Sequence, residues 1–269
     1  MQENIDEVKR HYDENPKKEW DRMKKNPFEF WITAAWMDRY LKEGDEILDV
    51  GGGPGRYSIH YALKNHRVTL VDLSNANVAF AKMKARQYRT HLAAYEGNAL
   101  SLSRFATGSF DAVFLMGPLY HLLEEKERKQ ALQEALRVLK KGGYLFASFI
   151  GIPSGMIFEM REDPAQILAP EDQLFYQKIV AGLSFAGKGF TEIYCASHSD
   201  IDALMGTLDG AQQVAFFGQE GITSPCCHQI MASAKRVRAK WLEIALALSD
   251  KPEYLAFSEH WMSVLRKAR

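Results

Sequence analysis

A chain of 269 residues can fold as one large unit or as one core with a cap, because single hydrophobic cores stop growing at about 250 to 300 residues. Apolar residues make up 46% and charged residues 25%, an ordinary globular composition that excludes disordered and fibrous classes. The formal charge is +0, which removes the long-range attraction that phosphate-backbone binders rely on, so a nucleic-acid partner is not expected.

The N-terminal MQENIDEVKRHYDENPKKEW is polar and has no apolar h-region, and no later run reaches the roughly 20 apolar residues that span a bilayer. A cytoplasmic protein without a membrane partner is therefore expected. Residues 1–43 read as a helical arm. Asn26, Pro27 and Glu29 stand where an N-cap, an N1 proline and a capping-box acid belong, and Phe28, Trp31, Ile32 and Ala35 follow at helical spacing. The spacing predicts a helix from about Pro27 to Lys42, ended by Gly44.

Residues 44–150 alternate strands with helices: EILDV, RYSIHYALKN, VTLVD, NVAFAKMKARQYR, LAAYEG, FDAVFLMG, EEKERKQALQEALRVLK and YLFASFI. That rhythm implies right-handed crossovers and a parallel sheet covered on both faces. Residues 151–189 read as a cap of loop and short helix followed by one amphipathic helix over QLFYQKIVAGLSFAG. Residues 190–269 supply TEIYCAS, a helix over DIDALMGTL, a strand over AQQVAFFG, one helix over IMASAKRVRAKWLEIALALS and a last strand at HWMSVLRK. Cys195, Cys226 and Cys227 form no C-x-x-C pair and read as reduced thiols, and no metal site is expected from SPCCH, since adjacent cysteines do not wrap a tetrahedral ion.

The segment ILDVGGGPGRYS joins a strand to a helix and reads Asp49-x-Gly51-x-Gly53-x-Gly55. Glycines there let the backbone turn sharply and a ligand approach it without a Cβ in the way. The dinucleotide pattern G-x-G-x-x-G fails, because it needs glycine at Arg56 or at Ser58. ILDVGGGPG resembles motif I of the class I S-adenosylmethionine (SAM)-dependent methyltransferases, and four further segments follow in the family's order over about residues 44–149. VTLVDLS resembles the strand-2 end whose acid accepts the ribose hydroxyls, here Asp72 followed by Leu73. LAAYEGNAL resembles the adenine-binding segment, with Asn98 in place of the commoner aspartate and Ala99 beside it. FDAVFLMGPLYHL, with Met116, resembles the strand-4 segment beneath the methionine part of the cofactor, and ALRVLKKGGYLFAS the closing helix-turn-strand.

The resemblance implies an α/β Rossmann-like sheet of seven strands in the order 3-2-1-4-5-7-6, SAM as cofactor, S-adenosylhomocysteine as product and a small-molecule acceptor. It also implies that the arm folds over the cofactor, which makes Tyr12 and Trp20 candidates for closing the site. Tyr120 and His121 fall where the acceptor belongs. His121 is either a general base or the start of the next helix, whereas His198, His228 and His260 are isolated in the late segments and read as surface or core residues. GPLY lacks the acid or amide of the Asp/Asn-Pro-Pro-Tyr amine methylases, the Pro-Cys nucleophile of the ring-carbon cytosine enzymes is absent, and the cysteines do not suit arsenite chemistry. Two other functions stand beside methyl transfer: a SAM-binding regulatory protein without turnover and, on the same fold type, a nicotinamide-dependent oxidoreductase.

Overall fold

The computed structural model describes residues 2–268, so Met1 and Arg269, the outermost residues of the expected arm and C-terminal part, lie outside it. The arm consists of α1 (Gln2–Glu14) and α2 (Pro16–Lys25), separated at Asn15 because Pro16 has no N–H to continue the first helix. α3 (Pro27–Met37) follows. It stops five residues short of the expected Lys42, since the chain turns at Asp38 to place the Tyr40 ring against Tyr144 and Phe146. Its N-cap, Asn26, makes no side-chain cap bond and instead accepts from Cys227 Sγ at 3.1 Å.

The core runs β1 (Glu46–Val50), α4 (Arg56–Ala62), β2 (Arg67–Asp72), α5 (Asn75–Gln87), β3 (Ala93–Glu96), β4 (Phe110–Leu115), α6 (Glu125–Val138) and β5 (Leu139–Gly151). After it come α7 (Pro153–Glu162), α8 (Gln173–Val180), β6 (Phe185–Lys188), β7 (Glu192–Ala196), α9 (His198–Gly206), β8 (Ala211–Gly218), α10 (Cys227–Met231), α11 (Lys235–Leu248) and β9 (His260–Lys267). β3, β2, β1, β4 and β5 pair in parallel in that spatial order. β9 joins β5 antiparallel and β8 joins β9 antiparallel. The run β3-β2-β1-β4-β5-β9-β8 is the expected 3-2-1-4-5-7-6 arrangement. The sheet has nine strands rather than seven, because the hairpin β6-β7 attaches to the end of β5 through Ile150 and Gly151.

That hairpin corrects the expected cap, whose last residues are strand rather than helix. α8 ends at Val180 because Gly182, at φ +68°, turns left-handed and lets the Leu183 N–H reach back to the Lys178 carbonyl at 2.9 Å. The single helix expected over residues 230–249 is two, broken where the Ser233 hydroxyl bonds the Ile230 carbonyl at 2.6 Å.

Neighbouring strand residues point to opposite faces, and both faces are covered. Ile47, Phe114 and Phe146 pack under Phe28, Ile32, Trp36 and Tyr61 of α3 and α4. Leu48, Val113 and Leu145 pack against Leu132 and Ala135 of α6 and Ile201 and Leu204 of α9. The parallel strands therefore stand fixed, with the C-terminal ends of β1, β2 and β4 opening on one edge. The strand order reverses between β1 and β4, where open α/β sheets form their ligand crevice. Among the described residues no helix is long and apolar enough to cross a membrane.

Candidate active site

The loop after β1 is shaped by its own hydrogen bonds. Gly53 adopts φ +54°, which side-chain-bearing residues rarely tolerate, and its N–H donates to Asp72 Oδ2 at 2.7 Å. A Cβ on Gly53 would meet nothing closer than Asn77 Nδ2 at 3.9 Å, so this backbone borders open space. The other Asp72 oxygen accepts from the Ser74 N–H at 2.9 Å and from Asn77 Nδ2 at 3.2 Å. Burial pushes the Asp72 pKa up, and these donors oppose it. Asp49 lies beneath the loop, accepts from Ser58 Oγ at 2.6 Å at the start of α4, and is pushed by burial to about 7. Gly55 departs from expectation: a Cβ there would come within 3.0 Å of Ala81 Cβ, so it permits α4 to approach α5 and does not line the site.

One cleft of about 1260 Å³, its open mouth included, is lined by the other expected residues: Asp49, Gly51, Gly53, Asp72, Leu73, Asn98, Ala99, Met116, Tyr12, Tyr120 and His121. Asn98 Oδ1, expected to face the ligand, accepts from the Leu100 N–H at 2.9 Å. Asn77 Oδ1, which sequence reasoning missed, is buried in the lining without a hydrogen-bond partner among the described residues. A buried acceptor left open costs about 1–3 kcal/mol, which suits a donor arriving with a ligand.

The arm borders this cleft through Tyr12, Arg22 and their neighbours. The Tyr12 hydroxyl and His121 Nε2 are hydrogen-bonded at 2.9 Å, while His121 Nδ1 meets Thr191 Oγ1 at 3.2 Å. Burial lowers the His121 pKa to about 4, leaving a neutral ring at neutral pH. Asp13 Oδ1 accepts from Ser74 Oγ at 2.6 Å and from the Ala76 N–H at 3.2 Å, and Lys9 pairs with Glu96. Trp20, expected to close the site, lies outside the lining. It is buried against Ile59 and Ala85, with Arg56 4.7 Å from its ring, and anchors the arm from behind.

The cleft lining also has a charged part, formed by Glu19, Arg22, Glu29 and His260. Arg22 donates to both oxygens of Glu29, at 2.8 and 3.3 Å, with Glu19 3.6 Å from its Nε. Glu29 thus serves in a buried ion pair rather than in a capping box. Burial raises its pKa, but Arg22 outweighs that and holds the carboxyl below its usual range. Glu220 accepts from the His260 N–H at 3.0 Å and lies 2.6 Å from His260 Nδ1. Burial lowers the His260 pKa, yet the Glu220 carboxylate more than offsets it and lifts the ring to about 9. His260 lines the cleft instead of standing apart. One signal could have placed it there: an antiparallel strand beside parallel ones begins where they end, at the ligand edge. Glu29, Glu220 and His260 offer ligand atoms within 4.8 Å of one another, but Arg22 engages Glu29 and His260 engages both Glu220 oxygens, a poor fit to a metal ion.

The family model described as a methyltransferase domain matches residues 47–143. Those residues resemble a methyltransferase domain. A Geobacillus sp. protein named as a methyltransferase is 32% identical over 127 residues, 46% of this chain and 51% of that one. The glycine/sarcosine N-methyltransferase of Parasynechococcus marenigrum is 26% identical over 199 residues, 73% of this chain and 62% of that one. The chain therefore spans about half to three-fifths of the length of these curated relatives. A SAM-dependent methyltransferase of Thermotoga maritima has a TM-score of 0.62 at 14% identity, covering 97% of this chain and 99% of that one. One from Methanosarcina mazei has a TM-score of 0.57 at 22% identity, covering 86% and 96%. The whole chain shares the fold of the class I SAM-dependent methyltransferases. The matched methyltransferase domain holds the glycine loop, Asp72, Asn98 and His121, whereas Tyr12, Arg22, Glu29, Glu220 and His260 lie outside it.

Proposed function

We propose that the chain is a SAM-dependent methyltransferase acting on a small molecule, with the cofactor over the glycine loop and the acceptor between that loop and the charged part of the cleft. The observation that carries this reading is the pairing of Gly53, open at its Cβ position, with a strand-end carboxylate at Asp72 and an unsatisfied Asn77 acceptor in one cleft. Asp72 would hold the ribose hydroxyls, Gly51 and Gly53 the approach of the cofactor backbone, Asn98 and Ala99 the adenine, and Met116 the methionine portion. Bound SAM supplies a methyl carbon already activated by its sulfonium. The residues of this chain have then to align the acceptor and keep water out, and Tyr12, hydrogen-bonded to His121 at the cleft, would serve to do so.

Incubating the chain with methyl-labelled SAM and a small-molecule metabolite extract tests transfer directly. Label is expected in one or a few small products. SAM that binds while every product stays unlabelled would leave a regulatory binder in place of an enzyme.

A further inference from the structure

We propose that His260, oriented by Glu220, takes the proton from the acceptor's nucleophile, and hence that the acceptor's nucleophilic atom carries a proton, as in a phenol, an alcohol, an amine or a thiol. This deepens the methyltransferase reading above and rests on it. Glu220 uses one oxygen on the His260 main-chain N–H and the other on Nδ1, so the ring is held by two bonds from one carboxylate. In the neutral ring such a bond keeps the proton on Nδ1 and leaves the Nε2 lone pair as acceptor, the orienting role a carboxylate plays in hydrolytic triads. Among the described residues Nε2 has no protein hydrogen-bond partner, and His260 lines the cleft. His121, the other histidine there, has both ring nitrogens engaged by Tyr12 and Thr191.

In the step inferred, a lone pair of the nucleophile bonds the methyl carbon and the carbon–sulfur pair stays on sulfur as a thioether. The nucleophile's proton passes to Nε2, and the imidazolium so formed is balanced by Glu220. Four groups face the ring from the surrounding elements: Glu220 beyond β8, Glu29 of α3, Arg22 of α2 and the Tyr120 ring, 6.2 Å away, ahead of α6. Burial and Arg22 disfavour charge on His260, while Glu220 and Glu29 favour it and prevail. The ring therefore loses its proton above the ordinary histidine range, and turnover should climb with pH through that interval.

The test uses the full chain, labelled SAM, and a panel of phenols and primary amines added to the extract, for wild type, His260→Gln and Glu220→Gln, with SAM affinity measured by calorimetry on each. Expected are SAM affinities within about twofold of one another. Transfer by His260→Gln should fall about 10²–10⁴-fold below wild type once the wild-type ring is neutral, above about pH 9, the usual contribution of a positioned base. It should recover as pH passes the acceptor's own pKa, and Glu220→Gln should move the rise in turnover to lower pH. Wild-type turnover and pH profile in His260→Gln would overturn the proposal, whereas failure of the wild type to bind SAM would overturn the methyltransferase reading itself. A readout free of turnover and of any variant is ¹⁵N NMR of the wild-type His260 ring with S-adenosylhomocysteine, taken at about pH 10, above the pH of about 9 at which the ring loses its charge. A neutral ring carrying its proton on Nδ1 supports the proposal, and one carrying it on Nε2 contradicts it.

Discussion

Asp72 does two things with one carboxylate. It fixes the glycine loop through the Gly53 N–H, and it stands where the ribose is proposed to bind. Hydrogen bonds to a charged group contribute about 1.5–3 kcal/mol each. Asp72→Ala should therefore weaken SAM at least about tenfold. Gly53→Val should abolish detectable SAM binding, because the side chain would enter the open space and sit at φ +54°. The strain, about 1–2 kcal/mol for a side chain in the left-handed region, should lower the melting temperature by only about 2–8 °C. Calorimetry beside a thermal melt checks both, and a Gly53→Val protein that keeps its SAM affinity would place the cofactor elsewhere. The His260–Glu220 pair gives a pH signature. The folded ring holds its proton to about pH 9 against an ordinary value of 6.5, so the pair's stabilisation is fully present below pH 6.5 and is lost as pH rises towards 9. The melting-temperature gap between wild type and Glu220→Gln should narrow across that interval, and a constant gap would show that the pair does not stabilise the fold through this proton.

At the scale of elements, the arm made of α1 and α2 carries the clearest dynamic consequence. It is attached over the cleft by polar contacts, Tyr12 to His121, Asp13 to Ser74 and Ala76 and Lys9 to Glu96, while Val8 and Trp20 are buried and Arg22 pairs with Glu29 towards its far end. Elements held this way open most readily, and lids are drawn from them. Tyr12→Phe removes a hydrogen bond of about 0.5–1.5 kcal/mol, so protease cleavage within the arm should become about 2–10-fold faster without SAM. In the wild type, SAM should slow that cleavage, and equal rates with and without saturating SAM and acceptor would show that the arm is no lid. Deleting residues through Lys25 should lower turnover far more than melting temperature. Much of this was legible in the sequence, because Pro27, the glycine spacing and the two-sided apolar strands are local signals, whereas the break at Pro16 was not read from it. The rest was set by distant partners. Asn26 and Glu29 read as a helix cap, but Cys227 and Arg22 claim their side chains. Gly182 is a stop signal, passed over in favour of the apolar periodicity that continues through Phe185. His260 looked isolated along the chain and becomes a site residue only once β9 is known to lie antiparallel to β5.

For the whole molecule, the division of the cleft is the main result. The glycine loop, Asp72 and the ends of β2 and β4 belong to the matched methyltransferase domain. The charged part is assembled from the arm, α3, the segment after β8 and the start of β9. On the proposed reading the matched domain would hold the cofactor and the elements outside it would meet the acceptor, so motif spacing, which lies within the matched domain, points to SAM and not to the acceptor. The central claim is that SAM binds in this cleft through Asp72, and the most direct test is calorimetric titration of SAM into the wild type and into Asp72→Ala, with NAD titrated in parallel. The predicted result is one SAM bound per chain, at least about tenfold weaker binding in the variant, and no binding of NAD to either. Equal SAM affinity in the two proteins, or NAD bound in place of SAM, would contradict it.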